Sequence, residues 1–139
     1  NGYDVRHQVI GMVAQHLKPG MWHKSTGVVG DGAFRRLARK VDLELLARLA
    51  KSDCLGRGGT FDCSAMDWFL ERAHALGVEH APPAPLLLGR HLLDLGLRPG
   101  PEIGRILKAV YEQQLDGQVT ALEGAIAAAE TIIDGATPE

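Results

Sequence analysis

The chain is poor in aromatics: three Phe, two Tyr and two Trp make up 5% of its 139 residues, while 45% of the residues are hydrophobic in all. A core built from such a set is aliphatic, and the abundance of Leu and Ala predicts that it is helical. Alternating β-branched runs are absent, which argues against a sheet. Only two cysteines are present, Cys54 and Cys63. Two are too few and too widely spaced for a zinc knuckle or a disulfide framework, so reduced thiols and a cytoplasmic address are expected. No apolar run is long enough for a membrane span, and no signal-peptide pattern opens the chain, so no membrane partner is expected. Lys and Arg are missing altogether after Lys108, where six acids follow. The opposite holds between Lys24 and Arg57, where eight Lys or Arg face four acids. The formal charge of −2 therefore hides a basic stretch suited to a polyanion and an acidic tail that is not.

Helical periodicity runs through most of the chain. Val5, Val9, Met12, Val13, His16 and Leu17 form one apolar stripe, predicting a helix from Asp4 to Leu17 that Pro19-Gly20 ends, with a loop over Met21 to Gly30. Asp31 is expected to cap a helix carrying Phe34, Leu37, Ala38 and Val41. Asp42 caps the next, with Leu45, Leu46, Leu49 and Ala50 inward. "GRGGT", Gly56 to Thr60, is a break, after which Asp62 leads a helix bearing Met66, Phe69, Leu70 and Ala73 that closes at Gly77. "APPAP", Ala81 to Pro85, is a stiff connector that divides the chain into parts spanning 1–80 and 86–139. Beyond it a short helix stops at Gly96, a longer one starts at Pro101, and Thr120 with Glu123 has the capping-box pattern for the last. The expected architecture is all-α, a compact bundle of about six to seven helices.

Motifs for self-sufficient catalysis are missing: there is no Ser/His/Asp order, no P-loop and no CxxC pair. Asp42 and Glu44 read as capping charges. Arg35 with Arg39 and Arg36 with Lys40 stack like charges four apart, which a bound anion or plain solvation would relieve. "LRPGPEIG" sets Pro101 at a helix start behind Gly96 and Gly100. Bare backbone N–H groups there, flanked by Arg98 and Arg105, suit a phosphate, and a tight helix-to-helix corner explains the same residues.

The run "LLLGRHLLDLGLRPGPEIGRILKAVYEQQLDGQVTALEGAI", Leu86 to Ile126, resembles the carboxy-terminal region of bacterial tRNA nucleotidyltransferases, the CCA-adding enzymes and related poly(A) polymerases with an HD-type domain. "DGAFRRLARKVDLELLARLAKSDCLGR" looks like the later part of that HD-type domain. His91 stands where the family carries Asp. The resemblance implies a helical module that holds tRNA or another RNA through Arg35, Arg36, Arg39, Lys40, Arg98, Gly100 and Arg105. It implies no catalytic residue and no cofactor in this chain, with Mg2+ and CTP or ATP belonging to a nucleotidyltransferase head. It also implies His16 and Asp53 as the residue of an HD-type metal site, although the His-Asp dipeptide itself is absent. A remnant HD-type phosphohydrolase using those two residues with a divalent metal, and a helical protein-interaction module, are the readings from other classes.

Overall fold

The structure is a computed structural model that describes residues 2–25, 29–57 and 62–136. It is all-α, with eight helices among the described residues: α1 (Gly2–Gln15), α2 (Lys18–Lys24), α3 (Asp31–Ala38), α4 (Leu43–Gly56), α5 (Ser64–Ala75), α6 (Gly89–Asp94), α7 (Pro101–Leu115) and α8 (Leu122–Ala136). None is long and apolar enough to cross a membrane. The chain divides into two compact units, Asn1–Pro83 and Ala84–Glu139.

In the first unit Phe34, Leu37, Val41, Leu43, Leu46, Phe69, Ala73 and Val78 form the core. The scarce aromatics are concentrated here. The Phe34 ring lies 5.1 Å from both Trp22 and Phe69 and 5.9 Å from Trp68, and the Arg72 guanidinium covers it at 4.5 Å. Arg72 also donates to the Val29 carbonyl at 2.7 Å and to the Asp31 carboxylate, fastening α5 to the start of α3. Asp31 is thus a tether from the first helical turn. The helix it was expected to cap has Gly30 as its N-cap, with no side-chain cap.

Asp42 does cap α4, accepting the Leu45 N–H at 2.9 Å. The buried stripe of α4 is Leu43, Leu46, Ala47 and Ala50, and the expected inward residues Leu45 and Leu49 are exposed. The apolar stripe of α1 is displaced further. Val5, Val9, Val13 and Leu17 are exposed, because α1 approaches the α3–α4 turn through Gly11, where a Cβ would stand 3.0 Å from Val41. A second correction concerns Pro19. It does not end a helix; it is buried in the first turn of α2, where a missing N–H costs nothing, so Met21 to Lys24 are helical rather than loop. The expected break at Gly56 to Thr60 begins later, since Gly56 is the last residue of α4; residues 58–60 lie outside the described residues.

The second unit packs Leu87, Leu92, Ile106, Val110, Val119, Ala125 and Ala129. Gln114 on α7 clamps the end of the proline-rich connector, donating to the Ala84 carbonyl at 2.8 Å and accepting the Leu86 N–H at 3.0 Å. Three helix ends share one device. After α5, α6 and α7, Gly77, Gly96 and Gly117 take φ of 69°, 98° and 80°, the left-handed conformation in which a side chain is strained. Each is followed by a 6→1 bond, Val78 to Ala73, Leu97 to Leu92 and Gln118 to Gln113, which satisfies a terminal carbonyl. At the start of α8 the helix begins at Leu122, so Ala121 rather than Thr120 precedes it, and the expected capping-box register is off by one.

Candidate binding cavity and surface cations

A cavity of about 440 Å3 opens in the first unit between the turn after α1, the helix α2, the end of α4 and the start of α5. His16 and Asp53 both line it. His16 lies in the turn that closes α1, with Nδ1 2.6 Å from the Val13 carbonyl. A carbonyl oxygen only accepts, so Nδ1 is the donor in this contact. Asp53, on the last turns of α4, receives Arg57 Nη2 on Oδ2 at 2.9 Å. The i, i+4 spacing on one helix face makes that pair.

Three further polar residues of the wall were not anticipated. His23 and Lys24 enter from α2, and Asp62 from the approach to α5. Asp62 Oδ1 accepts the Ser64 N–H at 2.9 Å, and hydrogen bonds from Ser64, the side chain first and the backbone second, hold its carboxyl below the usual carboxylate range. The wall is therefore mixed in sign: Lys24 and Arg57 against Asp53 and Asp62. Among the described residues, no three His, Cys, Asp or Glu side chains come together as a metal would require. His16 and an Asp53 already engaged by Arg57 are a donor pair too small for a stable divalent site.

The cavity wall also carries Cys54, bonded to Cys63 in a disulfide. This corrects the expectation of reduced thiols. A spacing of nine residues says nothing about proximity, but the end of α4 and the start of α5 run side by side and bring the two sulfurs together.

The cations expected to face RNA fall in both units and are described separately. Arg35 and Arg36 are half-buried on the last turn of α3, whereas Arg39 and Lys40 are exposed in the turn beyond it. The helix ends at Ala38, and Lys40 N–H bonds back to the Leu37 carbonyl at 2.9 Å in a tighter 3₁₀-type turn. The expected four-apart stacking along one helix is thus interrupted. Cations at the carboxy end of α3 also suit its dipole.

In the second unit Arg98 is exposed ahead of α7, whose start has Gly100 as N-cap, Pro101 in the first turn and no side-chain cap. Gly100 has φ 163°, extended backbone open to any residue, and no atom lies within 4 Å of where a Cβ would stand. The tight turn belongs to Gly96. Arg105 is held by Glu102 at 3.0 Å, and that carboxylate occupies part of the positive end of α7. His91 takes up a cap: its Nδ1 accepts the Leu88 N–H at 2.8 Å, a position an Asp at the third helical residue would serve equally.

No family model, curated protein or solved structure matches the chain.

Proposed function

We propose that the chain is the tRNA-holding carboxy-terminal module of a CCA-adding or poly(A) polymerase-like nucleotidyltransferase, working with a catalytic head that supplies Mg2+, CTP and ATP chemistry. The observation that carries this reading is the start of α7. The ordered run "GLRPGPEIG" lies on an exposed corner, with uncapped backbone N–H groups and Arg98 beside them. Such a helix start favours a phosphate oxygen through its N–H groups and its dipole together. RNA held this way is gripped by its backbone, so affinity falls steeply with salt. The cytoplasmic address that goes with this function stands against the Cys54–Cys63 bond, since disulfides persist chiefly in oxidising compartments.

The experiment is filter binding of total tRNA to the full chain across a salt series, with Arg98→Ala/Arg105→Ala as the variant. Both side chains are exposed, so each loss should cost about 0.5 kcal/mol of stability or less. Affinity is expected to drop several-fold with thermal stability unchanged. Absence of tRNA binding at low salt would remove the reading.

A second reading rests on the first unit. His16 and Asp53 line one cavity, which favours a remnant HD-type phosphohydrolase over an RNA-binding surface for that unit. With Asp53 held by Arg57, no hydrolytic step through a metal follows from these residues. Release of inorganic phosphate from a generic phosphomonoester by the purified chain, lost in Asp53→Ala, would favour this reading.

A further inference from the structure

We propose that the Cys54–Cys63 disulfide is a reductant-operated latch on the cavity, holding its α4 and α5 walls together when oxidised and letting their ends part when reduced. The inference concerns the shape of the cavity and is independent of what the cavity binds.

Position is the first argument. Cys54 lines the cavity, one residue after Asp53 and three before Arg57, which line it too. Cys63 is the N-cap residue of α5, between Asp62 and Ser64, and Asp62, Ala65 and Met66 form the facing wall. The bond therefore joins the two segments that supply these groups. Reach is the second argument. Both cysteines are half-buried rather than enclosed in the core, and Cys54 faces open space.

The exchange balances with a dithiol as reductant. One of its thiolates attacks Cys54 Sγ, the S–S bond breaks, and its electron pair leaves on Cys63 Sγ. The dithiol's second thiolate then attacks the mixed disulfide, releasing Cys54 as a thiolate and closing the reductant's own disulfide. Two electrons pass to the protein. Departure from Cys63 is assisted because that sulfur sits at the amino end of α5, a helix of 12 residues whose dipole favours negative charge there.

What reduction changes is local. Away from the bond, α4 and α5 stay packed through Leu46, Ala47, Phe69 and Ala73, and Lys51 Nζ remains bonded to Asp67 at 2.9 Å. The core and the helix register are kept, while the ends carrying Asp53, Arg57 and Asp62 are freed.

The test uses the full chain in native buffer, titrated with dithiothreitol, with iodoacetamide alkylation read by mass spectrometry and histidine ring signals read by NMR. Both cysteines should become alkylated without denaturant. The His16 and His23 ring signals should shift while those of His80 and His91 stay, and oxidised glutathione should restore them before alkylation. Cys54→Ser/Cys63→Ser should show the shifted signals without reductant and ignore its addition. If that variant fails to fold, reduction of the natural protein followed by circular dichroism carries the test alone. Cysteines protected until urea is added, His16 and His23 signals unmoved on reduction, or loss of helical signal on reduction would each overturn the latch and leave a fixed staple.

Discussion

Asp42 holds two partners at once, and replacing it separates them. Its Oδ1 accepts the Leu45 N–H at 2.9 Å, capping α4, and its Oδ2 lies 3.0 Å from His80 Nδ1. The other ring nitrogen of His80 is 3.1 Å from Glu44 Oε2, so both nitrogens face carboxylates. The Asp42 hydrogen bond, before the charges of Asp42, Glu44 and Glu79, raises His80 above its ordinary value of 6.5. A histidine raised on folding stabilises fully below its unfolded value, and that contribution fades as pH rises through the folded value. His80 is solvent-exposed, so its share is small. The cap is the larger and pH-independent part. Loss of an Asp cap to Ala costs about 1 kcal/mol, whereas Asn keeps the acceptor and nearly all of the cap. In a unit of this size that is about 4–8 °C in Tm. Urea unfolding of the natural protein, Asp42→Ala and Asp42→Asn, followed by fluorescence of Trp22 and Trp68, reports on the first unit alone because both tryptophans lie in it. The Ala and Asn variants should differ by about 1 kcal/mol at about pH 5.5 and again at about pH 8.5. The natural protein should exceed Asp42→Asn by more at the acid pH. Equal Ala and Asn variants, or a gap from Asn that widens with pH, would refute the reasoning.

Phe34→Ala empties the centre of the aromatic cluster, where the side chain is 0% exposed, and should cost about 3–5 kcal/mol in the same urea assay; a loss under about 1 kcal/mol would show that the rings do not hold the unit. Arg36→Glu with Lys40→Glu should weaken tRNA binding several-fold, read by filter binding at low salt, if the first unit's basic stretch shares the grip; unchanged affinity would leave Arg98 and the start of α7 as the RNA contact. Calorimetric titration with manganese should give no tight one-site isotherm, because Arg57 already engages the Asp53 carboxylate at 2.9 Å; a tight site would promote the phosphohydrolase reading.

What the sequence made legible were features with a local cause. The all-helical class follows from periodicity, the Asp42 cap from an Asx residue before an apolar run, and the ends at Gly77 and Gly96 from glycine's tolerance of positive φ. Features with a non-local cause were not legible. Asp31 looks like a cap until Arg72, 41 residues away, is seen to claim its carboxylate. Asp42 and Glu44 look like a plain helix start until His80 folds back between them. The cavity illustrates the same limit: the resemblance points to His16 and Asp53, while His23 and Lys24 carry no local signal because the helix that places them carries none.

That helix turns on how a single proline is read. Pro101 follows Gly96 and Gly100, so the preceding helix has visibly ended and proline can only be starting another. Pro19 follows an unbroken apolar stripe with no such punctuation, and a proline there reads as a stop. Both occupy the same place in the structure, the first turn of a helix, where the lost N–H had no partner to lose. What distinguishes them is burial. Pro19 is fully enclosed, and three residues later Trp22 packs edge-on against Phe34 and tilted against Phe69, so tertiary packing rather than local propensity holds this seven-residue helix in place. His23 and Lys24 reach the cavity only because that packing exists. Phe34 is therefore linked to the wall of the cavity through Trp22, and a fully buried core side chain also positions one side of the candidate site.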